Sequence, residues 1–252
     1  MSTRNLKTTM SSGRHRLLRP SWIISHILVL ALAVSTFTLG MWQLSRLDER
    51  QSYNSIVASR FEQSTERLSD LLQSFEEESD ILYRVAEVSG EFDPSKQIYV
   101  VNRSQNGVAG VHVVTALETL ENSLFVAVNR GFIPRSVYLE ASPENLSPPT
   151  GKVDVSGLVI AGKKDDRGYG DEMAEIDLEI LSDYWQIDLA SVVLQEKELN
   201  AVTKIPMPLP LPDLTEGPHL SYAVQWFIFM TIALIGYPLV LRKVSKETVQ
   251  VT

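Results

Sequence analysis

The chain has 252 residues and a formal net charge of −8. It contains no cysteine, which excludes disulfides, thiolate metal sites and cysteine nucleophiles. The mean hydropathy of −0.01 is that of an ordinary soluble protein, but it averages over two apolar blocks near the ends of the chain. These blocks lie at residues 22–44 and 222–241.

The two apolar blocks predict two transmembrane helices, which we place at residues 21–44 and 219–241. Each block is long enough to cross a hydrocarbon core of about 30 Å, and only His26 in the first could carry a charge. A soluble core helix of this length would show a polar stripe. A cleaved signal peptide would have a shorter apolar run and a small-x-small cleavage site, so the first block favours a retained anchor.

Basic residues flank both predicted spans on the sides that face the chain ends. The flanks contain Arg4, Lys7, Arg14, Arg16 and Arg19 before the first span, and Arg242, Lys243 and Lys246 against Glu247 after the second. The positive-inside rule therefore places both tails, residues 1–20 and 242–252, in the cytoplasm. The tails carry +5 and +2, so the chain between them carries −15, which disfavours binding to nucleic acid.

The central residues 45–204 predict an extracytoplasmic α+β domain with a mainly antiparallel sheet. A helix is predicted from Ser45 to Phe75, where apolar residues recur without Pro or Gly. Strands are predicted at residues 81–88, 98–102, 111–117, 124–129, 153–161 and 192–198, with a turn at Phe92-Asp93-Pro94, a hairpin turn at Asn106-Gly107 and a short helix starting at Asp183. Residues 205–218 contain five prolines and predict an extended linker.

Motifs that would indicate an enzyme are missing from the sequence, so we expect no catalytic activity. There is no His-Glu-x-x-His, Gly-x-Ser-x-Gly or P-loop lysine. His112 lies within a predicted strand, where a cross-strand hydrogen bond is the simplest role. The run Glu76-Glu77-Glu78 is typical of a solvated loop rather than a metal site.

Six short motifs occur in order along the chain: Gly40-Met41-Trp42-Gln43-Leu44-Ser45-Arg46, Tyr83-Arg84-Val85 with Gly90-Glu91-Phe92-Asp93, Val101-Asn102-Arg103-Ser104, His112-Val113-Val114-Thr115, Val128-Asn129-Arg130-Gly131-Phe132-Ile133-Pro134, and the run from Gly217 to Phe227. Together these motifs resemble the Surf1/Shy1 family of cytochrome c oxidase assembly factors. Ala116 and Phe132 depart from the family pattern, which has proline and often tryptophan there.

The resemblance implies a non-enzymatic membrane protein that assists assembly of a haem-copper oxidase, with haem a as a possible cargo. The implied partners are subunit I of cytochrome c oxidase or its assembly intermediate, haem A synthase and membrane lipid. The basic tail lacks a long transit segment, so we expect the bacterial cytoplasmic membrane. The motifs leave open whether haem a is delivered or an oxidase intermediate is stabilised. A membrane-tethered sensor or ligand-binding domain is the alternative function, and an unrecognised hydrolase is a third.

Candidate site residues cluster at the outer ends of the two predicted spans. On the second span, His219, Tyr222 and Trp226 share one helix face, with Gln225 at its flank; on the first span, the candidates are Trp42, Gln43 and Arg46. A helix N-terminus disfavours an imidazolium, so His219 is the candidate ligand of a haem iron. An interfacial histidine, aromatic belt residues and an Arg46–lipid phosphate contact are the simpler alternatives. His26 lies about 20 Å or more away, near the other end of its span, where it either bonds a neighbouring helix or awaits a partner subunit.

Arg103 and Arg130 each follow a predicted strand, and we expect structural ion pairs there rather than a binding role. Gly131 is predicted to supply a positive φ in a turn.

Overall fold

A computed structural model describes residues 19–121, 123–141, 143–165, 168–197 and 205–247. The chain divides into two compact units. The helical unit comprises residues 1–54 and 215–252, and the sheet domain comprises residues 55–214. Residues 1–18 of the predicted basic tail and residues 248–252 of the C-terminal tail lie outside the described residues.

The helical unit consists of α1, Pro20–Phe61, as far as residue 54, and α6, His219–Glu247. Both helices are long and apolar enough to cross a membrane. Their large apolar side chains are mostly exposed, whereas small residues are buried where the two helices meet: Ala33, Thr36, Gly40 and Ala223. A Cβ on Gly40 would lie 2.7 Å from Cε1 of Phe227. Close packing through small residues is typical of helix pairs in membranes.

The long helix predicted from Ser45 to Phe75 is wrong beyond Phe61. After α1 the chain forms a two-residue strand, β1 (Glu66–Arg67), and two short helices, α2 (Leu68–Ser74) and α3 (Glu78–Ile81). Pairing of Glu66 with Ala86 in the next strand and burial of Leu68 and Leu71 favour the break, because a continuous helix would keep both leucines out of the core.

In the described part of the sheet domain, five longer strands and two further short ones follow β1. They are β2 (Val85–Gln105), β3 (Val108–Thr119), β4 (Phe125–Pro134), β5 (Lys152–Ala161), β6 (Gly168–Tyr169), β7 (Glu172–Met173) and β8 (Leu189–Glu196). Helix α4 (Arg135–Glu140), a 3-10 turn at Pro143–Leu146 and helix α5 (Leu178–Trp185) lie between them.

The pairings of the longer strands form a closed ring in the order β2-β3-β4-β8-β5. All neighbours in this ring are antiparallel except β4 and β8, which are parallel. The α+β class is confirmed, but the sheet is mixed, so the mainly antiparallel prediction holds only in part. A ring with an odd number of strands cannot alternate direction all the way round, so it must contain a parallel pair.

Several predicted element boundaries are also corrected. Strand β2 continues through Asp93-Pro94 with a register shift after Phe92 instead of turning there, and Ile81 belongs to α3. Helix α5 ends at Trp185 rather than starting at Asp183; the side chain of Asp177 caps it by accepting from the backbone N–H groups of Glu179 and Ile180 at 3.1 and 3.3 Å. The Asn106-Gly107 hairpin turn is confirmed, with φ angles of 51° and 78°.

The strands bury apolar side chains on both faces. One face packs against α2 and α3 through residues such as Val88, Val126 and Leu194. The other face is covered by Leu181 and Trp185 of α5. Burial on both faces explains the near-continuous apolar runs of β3 and β4.

The start of the predicted Pro-rich linker belongs to the sheet domain. Met207 forms a bridge with Phe132 of β4, with N–O distances of 2.7 and 2.8 Å in the two directions. The carbonyl of Pro208 accepts a hydrogen bond from Gln105 at 3.0 Å. The backbone at Met207 therefore pairs with the last part of β4, along the edge where the pairing with β8 ends at Asn129.

Candidate functional site

His219 is the first residue of α6 and contacts α1 through Gln43. Its Nδ1 lies 2.9 Å from Oε1 of Gln43. An amide oxygen can only accept, so Nδ1 carries the proton and donates it. In the neutral form of the ring, a proton on Nδ1 leaves Nε2 unprotonated, which is the form of the nitrogen that a metal ion requires.

Two further contacts hold the residues just before α6 against α1. Arg50 donates from Nε to the carbonyl of Thr215 at 3.0 Å, and Gln51 donates to Oε1 of Glu216 at 3.0 Å. The α6 backbone begins with the N–H of Tyr222 bonded to the carbonyl of Pro218 at 3.1 Å. Proline suits the start of a helix because its missing N–H would have no intrahelical partner there.

Arg46 and Trp42 form a second group on α1. The guanidinium of Arg46 lies 5.8 Å from the centre of the Trp42 ring and pairs with Glu49 at 2.7 Å. Both members of the ion pair are about half exposed, so the pair contributes little stability. Arg46 can therefore exchange Glu49 for another carboxylate or phosphate at low cost.

The remaining candidates on α6 are Tyr222, Gln225 and Trp226. Tyr222 and Gln225 have exposed side chains. Trp226 is two turns, or about 10 Å, along the helix and packs edge-on against Phe229, with ring centres 5.9 Å apart. With Leu32, Thr36 and Ala233 these rings line an apolar groove of about 330 Å³. The structure thus pairs Gln43 with His219 and Trp42 with Arg46, and places Trp226 in a separate apolar groove.

His26 and Tyr237 form the corresponding polar contact towards the opposite ends of the two helices. The Tyr237 hydroxyl lies 2.8 Å from Nδ1 of His26, and the two rings meet edge-on. Of the two roles considered for His26, the bond to a neighbouring helix is the one observed.

In the sheet domain, Arg130 is the most deeply buried cation among the described residues, with 5% of its surface exposed. Its guanidinium donates to Gln97, Thr115 and the carbonyls of Leu146 and Ser147 at 3.0–3.4 Å. Burial lowers the pKa of Arg130 to about 10. Burial also raises the pKa of Glu196 to about 7, against the opposing attraction of Arg130.

Arg103 and Arg130 are predicted to follow strands, and this is wrong. They lie within β2 and β4, at positions where the pairing register shifts. The predicted ion pair is present for Arg103, which contacts Glu175 at 2.6 Å. Among the described residues, the hydrogen bonds of Arg130 go to neutral oxygens rather than to a carboxylate, so the predicted ion pair is not observed there. Gly131 has the predicted positive φ, 135°, but at the irregularity in β4, where a Cβ would lie 2.4 Å from the carbonyl oxygen of Met207.

His112 lies on β3, and its Nδ1 is 3.5 Å from the side-chain nitrogen of Asn129 on the neighbouring strand. Burial, reinforced by the charge of Arg103, lowers the pKa of His112 to about 4, against the attraction of Glu175. His112 is therefore neutral at physiological pH. Among the described residues no cluster of three His, Asp or Glu side chains could hold a metal ion.

The sequence matches the SURF1 family over residues 30–231. A SURF1-like protein of Rickettsia felis is 22% identical over 87% of this chain and 98% of the relative. A SURF1-like protein of Rickettsia bellii is 25% identical over 87% of this chain and 91% of the relative. Surfeit locus protein 1 of Xenopus tropicalis is 28% identical over 52% of this chain and 47% of the relative.

The family match covers α1 from residue 30, the whole sheet domain and α6 as far as residue 231. It includes both candidate groups of the helical unit, Gln43 with His219 and Trp42 with Arg46. This chain belongs to the SURF1 family.

Proposed function

We propose that this protein is a membrane-anchored assembly factor for cytochrome c oxidase. Membership of the SURF1 family is the observation that carries this proposal. The two long apolar helices support anchoring in a membrane. The bacterial cytoplasmic membrane is the proposed location, with subunit I of the oxidase, or an assembly intermediate containing it, as the partner.

In the proposed topology α1 and α6 span the membrane, both chain ends face the cytoplasm and the sheet domain lies outside. The basic residues before the first span and after the second support this orientation. Fusions to a reporter that is active only outside the cytoplasm test it. The reporter should be inactive at Thr252 and active near Glu144, and the reverse pattern would contradict the topology.

Haem a is the proposed cargo, and the Gln43–His219 pair is the part of the chain best suited to hold it. The hydrogen bond to Gln43 fixes the proton on Nδ1 of His219 and directs the lone pair of Nε2 away from that bond. Haem a supplies an iron that accepts such a nitrogen and propionates that accept hydrogen bonds from a guanidinium. Arg46 has the chemistry for a propionate, since its pair with Glu49 is exposed and weak.

Deletion of the gene followed by complementation provides the test. Membranes of the deletion strain should lose oxidase activity and haem a absorbance, and the wild-type gene should restore both. The variant His219→Ala should restore less oxidase activity than the wild-type gene, although the variant protein still inserts. The variant His26→Ala should bind haem as the wild type does. Wild-type oxidase levels in the deletion strain would refute the assembly role.

The purified protein separates cargo binding from scaffolding. Wild-type protein from a strain that makes haem a should carry haem absorbance, and His219→Ala should lose it. Retention of haem by both histidine variants would remove His219 from the site while leaving the assembly role in place. Loss of the His219→Ala protein from the membrane would show that the residue is structural.

A further inference from the structure

A pocket lies in the sheet domain at a gap in the strand pairing of β2. Strand β1 ends where Arg67 pairs with Glu87, and β3 ends where Thr119 pairs with Gly90. Between these two positions Val88 and Ser89 pair with β5 on one side. On the other side no strand of the described residues pairs with them, and the carbonyl of Ser89 accepts a single hydrogen bond, from the N–H of Leu120 at 3.0 Å. A cavity of about 370 Å³ opens in this gap, beside the first turns of α2. We call it the rim pocket.

The floor of the rim pocket is apolar and continuous with the core. It is formed by Leu68, Leu72, Val88, Leu124 and Val126. Three of these, Leu68, Val88 and Val126, are buried core residues. Leu72 and Leu124 are only half-buried, so they offer the apolar surface that a short hydrocarbon chain can cover.

The rim of the pocket has the opposite character. Three carboxylates, Glu87, Glu121 and Asp154, surround it with a single cation, Arg67. Arg67 contacts Glu121 at 3.4 Å, but their side chains are 73% and 47% exposed, so this pair is weak and exchangeable. Asp154 accepts a hydrogen bond from Ser89 at 2.5 Å, which orients its carboxylate at the gap.

We propose that the rim pocket binds an ammonium or guanidinium group carried on a short hydrocarbon chain. The chain lies on the leucine and valine floor, and the cation replaces Arg67 as the partner of Glu121 and approaches Glu87 and Asp154. An anion of the same shape is repelled by the excess of negative charge at the rim. Such a cation can come from a free amine or from a lysine or arginine side chain of another polypeptide. The proposal does not depend on haem binding or on oxidase assembly.

The absence of cysteine from this chain allows a single introduced thiol to report on the pocket. Ser69 lines the pocket, so Ser69→Cys in the full-length protein places a thiol there. Ser136→Cys on α4, where the serine is exposed and not among the pocket residues, is the matched control. The rate of alkylation by N-ethylmaleimide is measured with n-pentylamine, pentanoate, or the blocked peptide acetyl-Gly-Lys-Gly-amide.

At a ligand concentration about ten times Kd, alkylation of the Ser69→Cys protein should slow about tenfold, with no change in the Ser136→Cys protein. Pentanoate should give no protection. Adding Glu87→Gln and Asp154→Asn should raise the Kd for the protecting cation about fivefold or more. Protection by pentylamine supports a free amine as the source, and protection by the peptide alone supports a side chain of a partner.

The proposal is overturned if neither cation protects the thiol, or if pentanoate and pentylamine protect equally. Equal protection would mean that only the apolar floor binds. Unchanged affinity after neutralisation of the two carboxylates would overturn the assigned role of the rim.

Discussion

The Nδ1 of His219 and the Oε1 of Gln43 lie 2.9 Å apart and join the first turn of α6 to α1. This bond does two things at once. It links the two helices through a polar contact, and it assigns the proton of a neutral His219 to Nδ1. The nitrogen that could bind an iron is thereby set by a residue 176 positions earlier in the chain.

The role of Gln43 can be tested separately from that of His219. Gln43→Leu removes the acceptor, so the ring is free to rotate and to protonate at Nε2. We expect haem affinity to fall about tenfold, in the range found when an outer hydrogen-bond partner of a metal ligand is lost, as measured by titration of the purified protein. Gln43→Glu, which retains an acceptor, should lose less.

The matched control for Gln43 is Gln51→Leu, which removes a different contact between α1 and the start of α6. Equal loss of haem in the two leucine variants would show that general helix packing, rather than the orientation of His219, is responsible.

Gly40 allows α1 and α6 to approach closely. Gly40→Val places branched carbons where a Cβ alone would be 2.7 Å from the Phe227 ring, so we expect the pair to be destabilised by about 1–3 kcal/mol. The thermal unfolding midpoint of the protein in detergent should fall. Gly236→Val is the control, because a Cβ at Gly236 meets nothing within 4 Å. Adding Phe227→Ala should partly restore the Gly40→Val protein, and failure to do so would contradict the assigned clash.

Arg130 stabilises the sheet domain by donating to buried and partly buried oxygens of β2, β3 and the segment Leu146-Ser147. Arg130→Met removes the donors to Gln97, Thr115 and the carbonyls of Leu146 and Ser147. Unsatisfied buried acceptors should lower the free energy of unfolding by about 2–4 kcal/mol. Hydrogen exchange of β3 and β4 in the full-length protein provides the measurement. The exposed Arg135→Met should change exchange little, and similar effects of the two variants would contradict the prediction.

Glu196 should make the stability of the sheet domain depend on pH between about 4.5 and 7. Its pKa in the folded protein is raised to about 7 from an ordinary value of 4.5. The unfolded chain therefore loses its proton first, and the stability contributed by the protonated form, on the order of 3 kcal/mol, is lost as the pH rises through this window. In Glu196→Gln, hydrogen exchange in β5 and β8 should lose this pH dependence. If hydrogen exchange in the Glu196→Gln protein kept the pH dependence of the wild type, the effect assigned to Glu196 would be refuted.

His112 should make the sheet domain lose stability as the pH falls, which is the opposite of the effect expected from Glu196. Its pKa in the folded protein is lowered to about 4 from 6.5, so the unfolded chain takes up a proton first as the pH falls. Stability is full above pH 6.5 and is lost progressively down to about pH 4. His112→Gln should reduce this acid loss, so the exchange rates of β3 at pH 5 and pH 7.5 should become more similar. A larger acid loss in His112→Gln would mean that the histidine is charged in the folded protein.

The sequence was sufficient to recognise the family and to find both long apolar helices. It also located the hairpin at Asn106-Gly107 and most of the strands, because these features depend on local properties: hydropathy, alternation and turn chemistry. His219, Gln43, Trp42 and Arg46 were all identified as candidates from the motifs at the outer ends of the predicted spans. Which of them touch was not predicted, because contact between two helices depends on rotation about both axes.

Tertiary structure decided the features that depend on contacts between distant residues. The helix after the first apolar block ends at Phe61 because Leu68 and Leu71 gain more by entering the core than by continuing a helix. The sheet is mixed because its ring contains five strands. The local sequence pattern of a strand does not show how many strands will close the ring. Arg130 looks like any surface arginine in the sequence, yet burial lowers its pKa and surrounds it with neutral oxygens. The rim pocket is also a tertiary feature, since it exists only where β1 and β3 leave a gap along β2. Local free energies therefore determined the elements, whereas long-range burial determined their ends, their pairing and the polar sites between them.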